Sequence, residues 1–196
     1  MTRRQQIVLV RHGATEWSAS GKHTGRTDVP LTEEGRRAAE ELRVPLRSWT
    51  FARVLTSPLQ RAQETCRLAG YGDVAESRDE LQEWDYGVYE GLTTEDIRGR
   101  APDWVLWRDG APGGESPADV GARADRLLAE VRAVDGDVLL FAHGHVLRVL
   151  TARWLELHPG DGRLFALDTA TLSVLGYERG SAVILRWNAP VGTSAI

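Results

Sequence analysis

Four branched apolar residues in a row, Ile7-Val8-Leu9-Val10, run into the polar pair Arg11-His12. A short unbroken apolar run with polar ends reads as a strand buried on both faces. The same pattern returns at Phe51–Thr56 and Val138–Ala142, with weaker versions at Val74-Ala75, Leu172–Tyr177 and Ala182–Trp187. Arg179-Gly180 separates the last two runs and reads as a turn. Between the strands the apolar spacing changes to that of helices. Thr32 caps a predicted helix that opens on Glu33-Glu34 and aligns Ala38, Ala39 and Leu42. Ser57-Pro58 reads as a cap followed by proline at the first helical position, with Gly70 closing that helix. Ser116-Pro117-Ala118-Asp119 repeats the signal for a helix to about Val134, and Gly144–Leu157 forms another. Strands alternating with helices predict an α/β fold with a mainly parallel sheet.

Two stretches break this rhythm. Residues 12–31 carry Gly13, Gly21, Gly25 and Pro30 and read as one long polar loop, a feature that is usually functional. From Leu81 to Gly114 the pattern gives turns and short helical pieces, one of them capped by Thr93. No repeat, low-complexity tract or linker interrupts the chain, so residues 1–196 read as a single domain. Pro190, Gly192 and Ser194 predict a loose tail over residues 188–196.

The 196 residues, 42% hydrophobic and 27% charged, suffice for a substantial core. A net charge of −4 supplies no global basic field, which argues against nucleic acid or an anionic membrane as partner. An anion site must then be built locally, and almost wholly from arginine, because Lys22 is the single lysine. Cys66 is the single cysteine, which excludes an intramolecular disulfide and a multi-thiolate metal site. No stretch of 18 apolar residues occurs and the N-terminus lacks a signal-peptide core, so the expected location is cytoplasmic.

The candidate chemistry lies where strands end. His12 follows the first strand and His143 follows Val138–Ala142, each succeeded by glycine. If both strands run parallel in one sheet, both imidazoles emerge at its carboxyl edge, where open α/β sheets bind ligands. Arg11 stands beside His12, and a cation next to a neutral nitrogen nucleophile is what a phosphoryl group needs. His143-Gly144 also opens a helix whose free N–H groups favour an anion. Arg61 lies one turn into the helix after the second strand and reaches the same edge. Glu83 sits in Leu81-Gln82-Glu83-Trp84-Asp85-Tyr86-Gly87, where aromatic walls favour a protonated acid. Singly, each has an ordinary reading: a satisfied core histidine, a solvent-facing arginine, a surface carboxylate.

Together His12, Glu83, His143, Arg11 and Arg61 resemble the active-site set of the histidine phosphatase superfamily, the phosphoglycerate mutase-like group. Arg11-His12-Gly13 with Thr15-Glu16-Trp17 matches its opening motif. His23-Thr24-Gly25 followed by Asp28-Val29-Pro30-Leu31-Thr32 matches its first loop. Ser57-Pro58-Leu59-Gln60-Arg61-Ala62, Glu83 and His143-Gly144-His145 complete the order over nearly the whole chain. The resemblance implies a three-layer sandwich with helices on both faces of the sheet. It implies that His12 attacks phosphorus and becomes phosphohistidine while Arg11, Arg61 and His143 hold the oxygens. Glu83 would protonate the leaving alkoxide and then activate the water. Ser18, Thr24 and Gly144 fall at further phosphate-binding positions, although Ser18 stands where asparagine is common and Ala14 where an acid or amide is. No metal or other cofactor is implied, and His23, His145 and His158 read as structural or peripheral.

The family holds phosphatases and mutases. Trp84 stands where mutases carry arginine, Thr93-Thr94 where they place lysine, and Arg108 stands alone where they pair arginines. Gly113-Gly114-Glu115-Ser116 resembles phosphatase members. The expected activity is therefore hydrolysis of phosphate monoesters of small metabolites. The stretch from Glu83 to Thr94 resembles actinobacterial acid phosphatases and sedoheptulose-bisphosphatase-like enzymes, which points to sugar phosphates. Trp84, Trp104 and Trp107 read either as pocket walls or as core. Mutase-type transfer and an inactive phospho-ligand-binding module stay open as alternatives, as does the oligomeric state, monomer or homodimer. A metal hydrolase built on His12, His143 and His145 has poor ligand spacing and no carboxylate cluster.

Overall fold

The structure, a computed structural model, describes residues 5–191. In chain order its elements are β1 (Ile7–Arg11), α1 (Glu16–Ala19), α2 (Glu33–Glu41), α3 (Arg43–Leu46), β2 (Phe51–Thr56), α4 (Gln60–Leu68) and β3 (Ala75–Ser77). There follow α5 (Thr94–Arg98), α6 (Leu106–Asp109), α7 (Pro117–Arg132), β4 (Asp137–Ala142), α8 (Gly144–Trp154), β5 (Thr171–Glu178) and β6 (Ser181–Pro190), with short 3-10 turns between. The strands form one six-stranded mixed sheet in the order β3-β2-β4-β1-β5-β6. Its first four strands are parallel to their neighbours, and the β5–β6 hairpin runs antiparallel beside β1.

The most apolar runs became the central strands, because only residues buried on both faces can occupy them. Ile7, Leu9, Val138 and Leu140 join a cluster with Leu127, Leu128 and Val131 of α7 and Val146, Leu147 and Leu150 of α8. The alternate residues Val8, Val10, Leu139 and Phe141 join Leu42, Leu46 and Cys66 on the opposite face. This period of two yields an α/β layered fold with helices on both sides of the sheet. Register does the rest: Ile7 pairs with Val138 and Arg11 with Ala142, so His12 and His143 leave the sheet side by side.

Three local expectations differ from what is observed. Ser57-Pro58 does not start a helix; α4 begins at Gln60 after Leu59, without a local side-chain cap. The cap comes from elsewhere, since the Gln60 N–H donates to Asp28 Oδ1 at 2.9 Å. A tertiary carboxylate thus takes the task that proximity assigned to Ser57. The loop over residues 12–31 contains α1, capped by Thr15 in a reciprocal box with Ser18 and tied back by a Thr15–Leu31 bridge. Finally, residues 188–190 belong to β6, with Ala189 paired to Leu172 and Pro190 to Thr171, whereas residues 192–196 of the expected tail lie outside the described residues. Asn188 adopts a φ of 51°, its N–H donates to Ser173 Oγ, and its amide donates to Asp168.

Candidate active site

The end of β1 fixes the first imidazole. The His12 N–H extends the ladder to the Ala142 carbonyl at 2.9 Å, and the side chain turns so that Nδ1 lies 2.6 Å from its neighbour's carbonyl, Gly13 O. A carbonyl only accepts, so Nδ1 carries the proton and Nε2 keeps its lone pair. Burial, then the Arg11 and Arg61 guanidinium groups, hold His12 well below the usual histidine range, and the ring is neutral near pH 7. Its neighbour Gly13 has no room for a side chain, because a Cβ there would strike the backbone of Gly35 in α2.

Arg11 donates from Nη1 to the Leu167 carbonyl, while its buried Nε has no partner among the described residues. The guanidinium passes over Gly144 so closely that a Cβ there would lie 3.3 Å from it. An orphaned guanidinium N–H beside a neutral imidazole is an open invitation to an anion, because leaving it unpaired is costly.

His143 sits behind His12, with ring centroids 5.1 Å apart. Arg61 Nε donates to its Nδ1 at 3.1 Å, so the proton sits on Nε2, which donates to Ser57 Oγ at 2.7 Å. Burial, reinforced by Arg61, holds this histidine neutral as well. Arg61 is itself fully buried and clamps the long loop, donating to the carbonyls of Thr24, Gly25 and Thr27. Both residues thus adjoin His12, yet neither lines the open pocket in front of it. Ser57, which the sequence reading took for a cap, is the missing partner of His143.

Glu83 reaches the first turn of α8. Its Oε1 accepts from the Val146 and Trp84 N–H groups, each at 2.9 Å, and its Oε2 accepts from the His145 N–H at 3.0 Å. The helix N-terminus expected to meet a ligand anion is thereby largely occupied by the protein's own carboxylate. An ion pair between buried Arg123 and half-buried Glu115 steadies the segment around it. Arg123 Nε lies 2.8 Å from Glu115 Oε1, and Arg123 also donates to the carbonyls of Glu80 and Gln82. Glu115 accepts from the Asp85 N–H and from the Trp84 indole.

In front of His12 opens a pocket of about 230 Å³. Arg11, Glu83, Gly144, Ser18 and Thr24 reach its wall, as the sequence led us to expect. The hydroxyls of the last two are engaged locally: Ser18 Oγ donates to Thr15 O and accepts from Thr15 N–H, and Thr24 Oγ1 donates to Lys22 O. His23, Tyr86, His145 and Lys22 also line the pocket, whereas the sequence alone reads His23 and His145 as structural or peripheral and gives Tyr86 and Lys22 no role. The repeated histidine of His143-Gly144-His145, and Tyr86 three residues after Glu83, were the signals available. The three tryptophans do not wall it. Trp84 is fully buried, Trp104 nearly so, and Trp107 backs His145 with ring centroids 5.1 Å apart. Among the described residues no three His, Cys, Asp or Glu side chains converge as a metal site requires, and no helix is long and apolar enough to cross a membrane.

A strand-end histidine pair, a buried arginine clamp and a carboxylate held by the first turn of α8 thus meet at the carboxyl edge of an α/β sheet, which is the set of groups a phosphoryl ligand calls for. Residues 7–190 match the family model of the histidine phosphatase superfamily (branch 1), and the chain belongs to that family. It is 43% identical over 189 residues to an acid phosphatase of Mycobacterium tuberculosis, covering 91% of this chain and 89% of that protein. It is 36% identical to the sedoheptulose 1,7-bisphosphatase of Saccharomyces cerevisiae over 78% of this chain and 68% of that one. A 2,3-bisphosphoglycerate-dependent phosphoglycerate mutase of Mesorhizobium japonicum matches at 38% identity over 74% of this chain and 78% of its own. The solved structure of an open reading frame of Mycobacterium tuberculosis superposes with a TM-score of 0.92 at 41% identity, covering 96% of this chain and 99% of the other.

Proposed function

We propose that this chain is a metal-independent phosphatase that hydrolyses phosphate monoesters of small metabolites, sugar phosphates foremost, through a phosphohistidine on His12. The observation that carries the reading is the tautomer of His12: Nδ1 is committed to the Gly13 carbonyl, so Nε2 is a neutral nucleophile facing the pocket. In the first step Nε2 bonds to phosphorus as the ester P–O bond breaks, and Glu83 delivers a proton to the departing alkoxide. In the second, Glu83 takes a proton from water, the resulting hydroxide bonds to phosphorus, and the P–N bond breaks to return neutral His12. Arg11 Nε supplies a charged donor for a phosphoryl oxygen. The Nε2–H of His143 is the donor we assign to a second oxygen once substrate displaces its bond to Ser57. Arg61 fixes that imidazole from behind and adds positive charge. Ser18, Thr24 and Gly144 border the same oxygens.

Hydrolysis rather than mutase-type transfer is supported by Trp84 and Thr94. The first is a core side chain bonded to Glu115 O, and the second brings no charge to the pocket wall. The names of the relatives, an acid phosphatase and a sugar bisphosphatase, support the same choice. The deciding assay is a screen of sugar bisphosphates, sugar monophosphates and 3-phosphoglycerate for released phosphate, run beside an assay for isomerised product. Release of phosphate from sugar esters without isomer is the expected result; isomer formation exceeding release would overturn the reading.

A further inference from the structure

Beside the phosphate end, the pocket holds three rings that the proposed reaction does not use, His23, Tyr86 and His145. His23 Nδ1 lies 3.0 Å from the Leu92 carbonyl, so Nδ1 carries the proton and Nε2 is a bare acceptor. His145 has the opposite arrangement. Its Nδ1 lies 2.6 Å from the Tyr86 hydroxyl, and burial raises the Tyr86 pKa well above the usual phenol value. The Tyr86 hydroxyl has no other partner among the described residues, so its proton is directed at Nδ1, and the proton of His145 sits on Nε2. Burial also lowers the pKa of both imidazoles, so both are neutral near pH 7.

Neither Nε2 has a partner among the described residues, and neither is sealed in, for the buried side-chain atom without a partner there is Arg11 Nε. Both nitrogens thus open into the pocket that their residues line. The two rings are nearly parallel, with centroids 6.1 Å apart and an interplanar angle of 11°. Tyr86 and Trp104 hold His23 edge-on, and Trp107 backs His145. One wall therefore offers a rigid neutral acceptor next to a rigid neutral donor.

We infer that His23 and His145 are a specificity-determining pair that reads the hydroxyl groups of a polyol leaving group, His23 Nε2 accepting from one hydroxyl and His145 Nε2–H donating to another. This rests on the phosphatase reading above and adds the chemistry by which the alcohol half is chosen. A hydroxyl both donates and accepts, so it satisfies either nitrogen. A carboxylate only accepts and would face the lone pair of His23. Of the cations on the pocket wall, Arg11 Nε is assigned to the phosphoryl group, Lys22 lies over Trp17, and Arg148 lies over Trp107 with Nε and Nη2 held by the Gly162 and Arg163 carbonyls.

The test uses three esters of one size: glycerol 3-phosphate, propyl phosphate, which lacks both hydroxyls, and 3-phosphoglycerate, which carries a carboxylate instead of one. The native protein is expected to favour glycerol 3-phosphate over each of the others by about 10- to 100-fold in kcat/KM, the size of one or two hydrogen bonds. His23→Phe or His145→Phe should each cut the glycerol-to-propyl ratio several-fold, mostly through KM, the double substitution should bring it to about one, and His145→Gln, which keeps a donor, should lose less than His145→Phe. A native ratio near one, a ratio untouched by both substitutions, or a preference for 3-phosphoglycerate overturns the pair. If no ester is turned over, p-nitrophenyl phosphate included, the phosphatase reading falls by itself. Calorimetric Kd values of the same esters on the His12→Ala protein then decide the pair: a retained ratio supports it and a ratio of one removes it.

Discussion

The role proposed for His12 follows from the commitment of one of its two nitrogens to a carbonyl. The same logic of a single committed atom sets His143 and Arg61, and each tautomer follows from a partner that can only donate or only accept. Neutrality has a price in stability at low pH. His12, His143 and His145 all have folded pKa values well below the unfolded value of about 6.5, so the unfolded chain binds protons that the folded chain refuses. Stability contributed by these groups is intact above that value and falls as pH drops beneath it. We expect the Tm to decline steadily from pH 7 to pH 5 in scanning calorimetry; a flat Tm over that window would show that these rings protonate freely in place. Glu83 gives a second expectation at this scale. Glu83→Gln keeps the acceptor contacts through one oxygen but supplies no acid, so alkyl phosphates should lose about 100-fold or more in kcat while p-nitrophenyl phosphate, with its stable leaving group, loses much less. Equal losses would remove the proton-donor role. His12, Arg11, Glu83 and His143 were legible from the sequence because each stands at a strand end or in a family motif. Ser57, Tyr86, His23 and His145 were not, because what each of them does depends on a partner 59 or more residues away in the chain.

At the scale of elements, two supports hold the chemistry from outside. Asp28 caps α4 and thereby sets the turn that carries Arg61. Asp28→Ala should cost about 1 kcal/mol in chemical denaturation and lower kcat/KM by loosening the arginine clamp; unchanged stability would mean that the cap is replaced by solvent. Arg123 and Glu115 form the other support beneath the Glu83 segment. Truncating one partner of a largely buried pair leaves the other charge uncompensated, so Arg123→Met should cost about 3 kcal/mol or more in urea denaturation. A loss below 1 kcal/mol would mean that the pair is not a structural anchor. The parallel core strands were readable from apolar runs alone, since burial on both faces demands them. The α4 boundary was misread because its cap comes from a loop distant in sequence, and local patterns carry no trace of that contact. The last strand was cut short for a similar reason: Pro190 and Gly192 suggest a tail, but pairing with Thr171 and Leu172 carries β6 through Pro190.

Across the whole molecule, the sheet order decides where chemistry can happen. Placing β4 between β2 and β1 brings three strand ends to one edge, and with them Ser57, His143 and His12. The antiparallel β5–β6 hairpin extends the sheet away from that edge and leaves the pocket open above it. What the sheet does not decide is specificity, which falls to the loops that carry His23, Glu83 and Tyr86. The central claim is that the phosphoryl group passes through one nitrogen of one histidine. Rapid alkaline quenching during turnover of a 32P-labelled sugar phosphate, followed by peptide mapping and phosphohistidine isomer analysis, tests it directly. The expected result is a label on Nε2 of His12, accumulating in the Glu83→Gln protein and absent from His12→Ala. A label on Nδ1, on His143, or one that survives in His12→Ala would contradict the account.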